Sequence, residues 1–79
     1  MATFFLLDSV KTVIEVMING KSRQFTAAMP ISAVLAVLEL TGKRVAVERN
    51  GDIVPRSQFD SVAIAHGDTL EIVVAVGGG

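Results

Sequence analysis

Asn-Gly occurs twice in this chain, at Asn19-Gly20 and Asn50-Gly51, each time behind a short alternating run of β-forming residues. The pair tolerates the positive φ of a two-residue type I′ turn, so each occurrence predicts a β-hairpin. In the first, Ile14, Val16 and Ile18 alternate with Val13, Glu15 and Met17. That is the period of a strand with one face in the core. Ser22 to Ala27 is its return strand, with Phe25 as the core contact. In the second, Val45 to Arg49 leads into the turn and Ile53-Val54 leaves it. Pro55 ends that strand because it cannot donate to a ladder.

Between the hairpins, Ile31, Val34, Leu35 and Leu38 fall at i, i+3, i+4 and i+7, one stripe of a helix that Val37 and Leu40 would widen. Pro30 or Ser32 suits its start, and Gly42 a left-handed cap at its end, with Lys43 and Arg44 near its negative pole. A helix of about ten residues is not stable alone in water, so it must lie on the sheet. Ser57 to Ala65 is ambiguous, a 3₁₀ or short helical turn with Phe59 and Ile64 tucked inward. Gly67-Asp68 then turns into a last strand, Thr69 to Val76, whose Leu70, Ile72, Val74 and Val76 should face the helix. The order is β-β-α-β-β-β, an α+β class. A final strand apolar on both faces belongs in the middle of a sheet.

Seventy-nine residues allow one small domain, and an aliphatic-rich composition supplies its core. There is no cysteine, hence no disulfide, thiolate site or cysteine nucleophile. A formal charge of −1 with interspersed signs argues against a nucleic-acid binder. Residues 1–12 read as an N-terminal extension: Phe4-Phe5-Leu6-Leu7 is too short for the ~20 residues of a membrane span, and no signal-peptide pattern surrounds it. No metal-ligand cluster is visible, and a cytoplasmic setting is expected. His66, beside a turn, reads as a solvated loop residue, and Arg56 as the donor of a salt bridge or loop hydrogen bond. Asp52, Asp60, Asp68 and Glu71 form no paired-carboxylate motif and are assigned no chemistry.

The chain ends in Gly77-Gly78-Gly79. Alone, this is readable either as an incidental terminal segment or as a slim end presenting a reactive carboxylate. The stretches upstream narrow the choice. Ile18-Asn19-Gly20, Val45-Ala46-Val47-Glu48-Arg49-Asn50-Gly51, Val54-Pro55-Arg56-Ser57-Gln58-Phe59, Gly67-Asp68 before Leu70-Glu71-Ile72-Val73, and Gly78-Gly79 together resemble the ThiS family of sulfur carriers. The resemblance covers about residues 13 to 79. It departs from the family in the N-terminal extension and in Val76-Gly77 before the diglycine.

The resemblance implies a β-grasp, ubiquitin-like fold: a mixed sheet of four to five strands, one helix across it, and the last strand central and parallel to the first. The domain would span residues 13–76, with 77–79 a flexible glycine tail. It implies a protein substrate rather than an enzyme. Gly79 would be adenylated by a ThiF-like enzyme that uses ATP, and the carrier itself would bind no cofactor. A cysteine desulfurase relay would convert the adenylate to a thiocarboxylate, and a ThiG-like thiazole synthase would take the sulfur. Related alternatives are a MoaD-like small subunit of molybdopterin synthase and a ubiquitin-like modifier; a plain interaction module is the third class. Glycine at 77 and 78 lets the tail thread a narrow channel. Val13, Met17, Val73 and Ala75 should point away from the helix and, with Val76, meet the partners; the same residues could instead be covered by the N-terminal extension or by self-association. A carrier that visits two enzymes in turn is expected to be a monomer.

Overall fold

Both Asn-Gly pairs make the predicted turns. Asn19 and Gly20 have φ of 51° and 84°, and Asn50 and Gly51 have 52° and 91°. In the computed structural model, which describes residues 13–75, they close two antiparallel hairpins. The first joins β1 (Ile14–Ile18) to β2 (Lys21–Phe25), with Ile18 opposite Lys21. The second joins β3 (Val45–Arg49) to β4 (Asp52–Val54), with Arg49 opposite Asp52. The last strand is β5 (Thr69–Val74), and the order across the single five-stranded sheet is β2-β1-β5-β3-β4. β5 runs parallel to β1 and antiparallel to β3. This is the β-grasp arrangement. The extension 1–12, Val76 and the glycines 77–79 lie outside the described residues.

One helix, α1 (Ile31–Val37), covers the sheet. Its Ile31, Val34 and Leu35 are buried with Val16, Ile18, Phe25, Val47, Val54, Ile64, Leu70 and Ile72. Each such apolar side chain contributes about 1.5–3 kcal/mol when fully removed from water.

Of the two starts the sequence offers, the helix takes Pro30 and not Ser32, and its far end departs from the reading. Pro30 is the residue before its first turn, and no side chain caps it. Instead the loop before β5 supplies carbonyls: Ile31 N–H donates to Val62 O (2.9 Å) and Ser32 N–H to Phe59 O (2.9 Å). Ser32 is therefore inside the helix, with its amide already satisfied. At the other end Glu39, not Gly42, takes the left-handed position, with φ of 62°. Glu39 N–H donates to Ala36 O (3.0 Å) and Leu40 N–H to Leu35 O (2.8 Å), the paired bonds of a Schellman motif. Gly42, at φ of 84°, serves a separate turn closed by Lys43 N–H on Leu40 O (3.0 Å). The helix is thus seven residues rather than about ten, and Val37 lies off the buried stripe, 51% exposed. The early stop also leaves Val74 uncovered at the end of β5. The ambiguous segment resolves into a 3₁₀ turn, Arg56–Gln58, followed by a loop that buries Ile64 and half-buries Phe59.

Candidate functional site

The chain end is approached along β5, so the groups that hold β5 decide how firmly its far end is aimed. On one side, β5 pairs with the whole of β3, from Leu70 opposite Arg49 to Val74 opposite Val45. Ala75 N–H extends that edge by donating to Arg44 O (2.9 Å). Ala75 is the last described residue, and it is held by the backbone.

On the other side β1 stops early, with Ile18 opposite Leu70. Asn19 replaces the missing strand. Ile72 N–H donates to its Oδ1 (2.7 Å), and its Nδ2 donates to Ile72 O (3.0 Å). One carboxamide thus makes both bonds that a strand residue would make. Beyond it a groove of about 690 Å³ opens, floored by Ile18, Ile72 and Val74 and rimmed by Lys21 and Arg23.

The second turn grips the start of β5 in the same way. Asn50 N–H donates to Thr69 O (2.8 Å), and Thr69 N–H donates to Asn50 Oδ1 (2.9 Å). Asn50 Nδ2 reaches Asp68 Oδ1 (3.0 Å), while Asp68 Oδ2 accepts from Arg49 Nε (2.8 Å) and from Ala65 N–H (2.8 Å). Asp68 is 7% exposed. Burial by itself raises its pKa. The hydrogen bonds from Arg49, Asn50 and the Ala65 amide, with the charge of Arg49, outweigh that and hold it below its ordinary value of 3.8. The Gly67-Asp68 context marks a turn and gives no sign that three donors converge on this carboxylate.

Across the sheet face opposite α1, the alternation places the expected residues outward. Met17 is 42% exposed and Val73 64%, and Val13 and Ala75 are exposed as well. They do not form one continuous apolar patch. Glu15 separates Val13 from Met17, and Thr69 and Glu71 stand between Met17 and Val73 in the register. Ile53, 63% exposed, belongs to the same face through its pairing with Glu48; it was not among the residues expected there. Sequence could have found it from the period of β4, had its register with β3 been known. Ser22 Oγ donates to Glu15 Oε2 on this face.

His66 is exposed, as read, and its Nδ1 accepts from Glu15 N–H (3.0 Å). Arg56 is exposed and, among the described residues, its guanidinium has no hydrogen bond or ion pair, contrary to the expected salt bridge or loop bond. Among the described residues no helix is long and apolar enough to cross a membrane.

The ThiS family model matches residues 16–79. A thiazole synthase of Paramagnetospirillum magneticum is 48% identical over 65 residues, which make up 82% of this chain and 20% of that protein. The uncharacterized protein ycf40 of Pyropia yezoensis is 38% identical over 68 residues, 84% of this chain and 93% of that protein. A crystal structure of the thiamine biosynthesis protein ThiS from Geobacter metallireducens superposes with a TM-score of 0.71 at 28% identity, covering 84% of this chain and 100% of that one. The chain therefore spans about a fifth of the length of the thiazole synthase and nearly all of the ycf40 protein.

Proposed function

The chain belongs to the ThiS family, and on that premise we propose that it is a sulfur carrier whose working group is the carboxylate of Gly79. The observation that carries this reading is the family match itself, which runs through the β-grasp domain to the final glycine. An α-carboxylate has a pKa of about 3.5 and is ionised at neutral pH, so it can serve as a nucleophile without a base.

The proposed chemistry has three displacements. A carboxylate oxygen of Gly79 attacks the α-phosphorus of ATP on a ThiF-like enzyme, and pyrophosphate leaves. The terminal sulfur of a persulfide on a cysteine desulfurase relay then attacks the acyl carbon and AMP leaves, giving an acyl disulfide. A thiol attacks the donor's sulfur, the S–S bond breaks, donor and thiol end as a disulfide, and the thiocarboxylate is released. The carrier supplies no acid, base, metal or cofactor to any step. Its own contribution is geometric. Gly77 and Gly78 have no Cβ to obstruct a narrow channel. Ordering them costs about 1–2 kcal/mol per residue, which contacts with the enzyme must offset.

A thiazole synthase is the proposed acceptor. The support is that a protein of that name contains a segment like this chain within its own length. Holding such a segment and the synthase in one polypeptide raises the effective concentration of one beside the other. The same reading assigns the protein to the cytoplasm as a monomer that binds its enzymes transiently. Pyrophosphate exchange tests the first step. The ThiF-like enzyme should exchange labelled pyrophosphate into ATP in the presence of the chain and not when Gly79 is deleted. Equal exchange with the deletion would refute Gly79 as the adenylated residue.

A further inference from the structure

The groove beside Asn19 lies on the helix side of the sheet, where α1 stops early. Ile18, Ile72 and Val74 form its floor, Leu38 and Leu40 its wall, and Lys21 and Arg23 its rim. Val74 is 37% exposed there, and no aromatic side chain lines it.

One border of the groove is an open strand edge. Met17 N–H donates to Asp68 O and Asn19 N–H to Leu70 O, so the odd-numbered residues of β1 face β5 and the even-numbered ones face β2. Lys21, Arg23 and Phe25, opposite Ile18, Val16 and Ile14, therefore turn their backbone groups toward β1. Ser22 and Gln24, which also line the groove, turn theirs outward. An apolar floor beside open N–H and C=O groups suits an added strand, held by backbone bonds with alternate side chains entering the groove.

The chain carries such a segment outside the described residues. Thr3-Phe4-Phe5-Leu6-Leu7-Asp8 sets four large apolar residues between polar ones. The family model begins at Val16, so this run is an addition to the family's domain. Its reach fits the groove. β1 starts beside Phe25, and β2 spans about 13 Å from there back to Lys21. Asp8, five residues before Val13, needs to cross about 10 Å to pass outside β2 and to rise about 7 Å to reach Arg23. Five extended residues span about 17 Å, and the nine from Phe4 about 30 Å. Laid along β2 in this way, the segment brings the apolar run to Leu40 and Val74 and Asp8 to Arg23, which has no ion pair among the described residues; Lys11 falls in the tether.

We propose that Phe4-Phe5-Leu6-Leu7 docks in this groove of its own chain as a sixth strand on the edge of β2, with Asp8 on Arg23. The docked run covers Val74 and so braces the end of β5 from which the chain end leaves. A short tether gives the segment an effective concentration of about millimolar, well above that of a second copy at micromolar protein. The inference stands apart from the sulfur chemistry.

Nuclear magnetic resonance of the full chain tests it. The methyl groups of Leu40 and Val74 should show contacts to phenylalanine rings that disappear in Phe4→Ser/Phe5→Ser. The amides of Ser22 and Gln24 should exchange at least about tenfold more slowly in the unsubstituted chain than in that variant, which should also melt about 4–8 °C lower. Arg23→Glu should release the segment, and Asp8→Arg added to it should restore the ring contacts. Equal exchange rates with no ring contacts at Leu40 and Val74 would overturn the proposal. So would ring contacts at Met17 and Val73, which place the segment on the opposite face. Contacts that vanish on dilution as a dimer dissociates would assign the groove to the segment of a second copy and overturn it too.

Discussion

Asn19 and Asn50 each hold two roles. As turn residues they adopt φ near 50°, and as donors and acceptors they hold the backbone of β5 at Ile72 and Thr69. Asn19→Gly separates the roles, since glycine keeps the turn and loses the carboxamide. It should destabilise the domain by about 1–2 kcal/mol in denaturant titration and speed hydrogen exchange of the Ile72 amide. A neutral result would mean that turn geometry alone explains the asparagine. Asp68 makes a pH prediction whose sign follows from its lowered pKa. The stabilisation is fully present above the ordinary value of 3.8 and is lost as pH falls through the lower value of the folded state. Asp68→Ala should cost about 2 kcal/mol at neutral pH, and the gap to the unsubstituted chain should close in melts below about pH 4. These two asparagines were legible as turn signals because Asn-Gly acts locally. Their second role was not, because Ile72 stands 53 residues from Asn19 and only the topology brings them together.

At the scale of elements, the hairpins and the helix were legible from period and turn chemistry, whereas the sheet order came through the family resemblance. The C-terminal end of α1 was not legible. Gly42 offered the obvious left-handed residue, yet the chain turns three residues earlier at Glu39. The stop there is set by Leu35 and Leu40: the motif that joins them lets Leu35 stay buried and keeps Leu40 half-buried on the core. A non-glycine residue in that conformation is strained by about 1–2 kcal/mol. Glu39→Gly should therefore stabilise the domain by a net of about 0.5–1 kcal/mol, after the greater chain entropy of glycine is counted. A raised denaturation midpoint with unchanged slope is the expected signature. β5 is the element that most of the sheet depends on. Leu70→Ala, at a fully buried site on it, should cost about 2–5 kcal/mol, a large share of the stability of a small domain.

The whole molecule holds β5 along one side by β3 and along the other by β1 and Asn19, so the chain end is aimed by a strand that is fixed up to Ala75. Its outer edges are blunted against pairing with other chains. β2 carries Lys21 and Arg23, and β4 is three residues long and ends before Pro55. Two copies meeting through the exposed face would bring together Glu48 and Glu71 of each, which works against self-association there. Val73→Asp, at a site 64% exposed, should leave the fold intact and weaken binding to the proposed adenylating enzyme; unchanged adenylation kinetics would argue against contact at that strand. The central claim is that sulfur is carried at Gly79. Tandem mass spectrometry after incubation with ATP, the ThiF-like enzyme and a sulfur donor tests it most directly. The account predicts replacement of one oxygen by sulfur, located at the final glycine and absent when Gly79 is deleted. An unmodified chain in the presence of active enzyme, or sulfur located anywhere else, would contradict it.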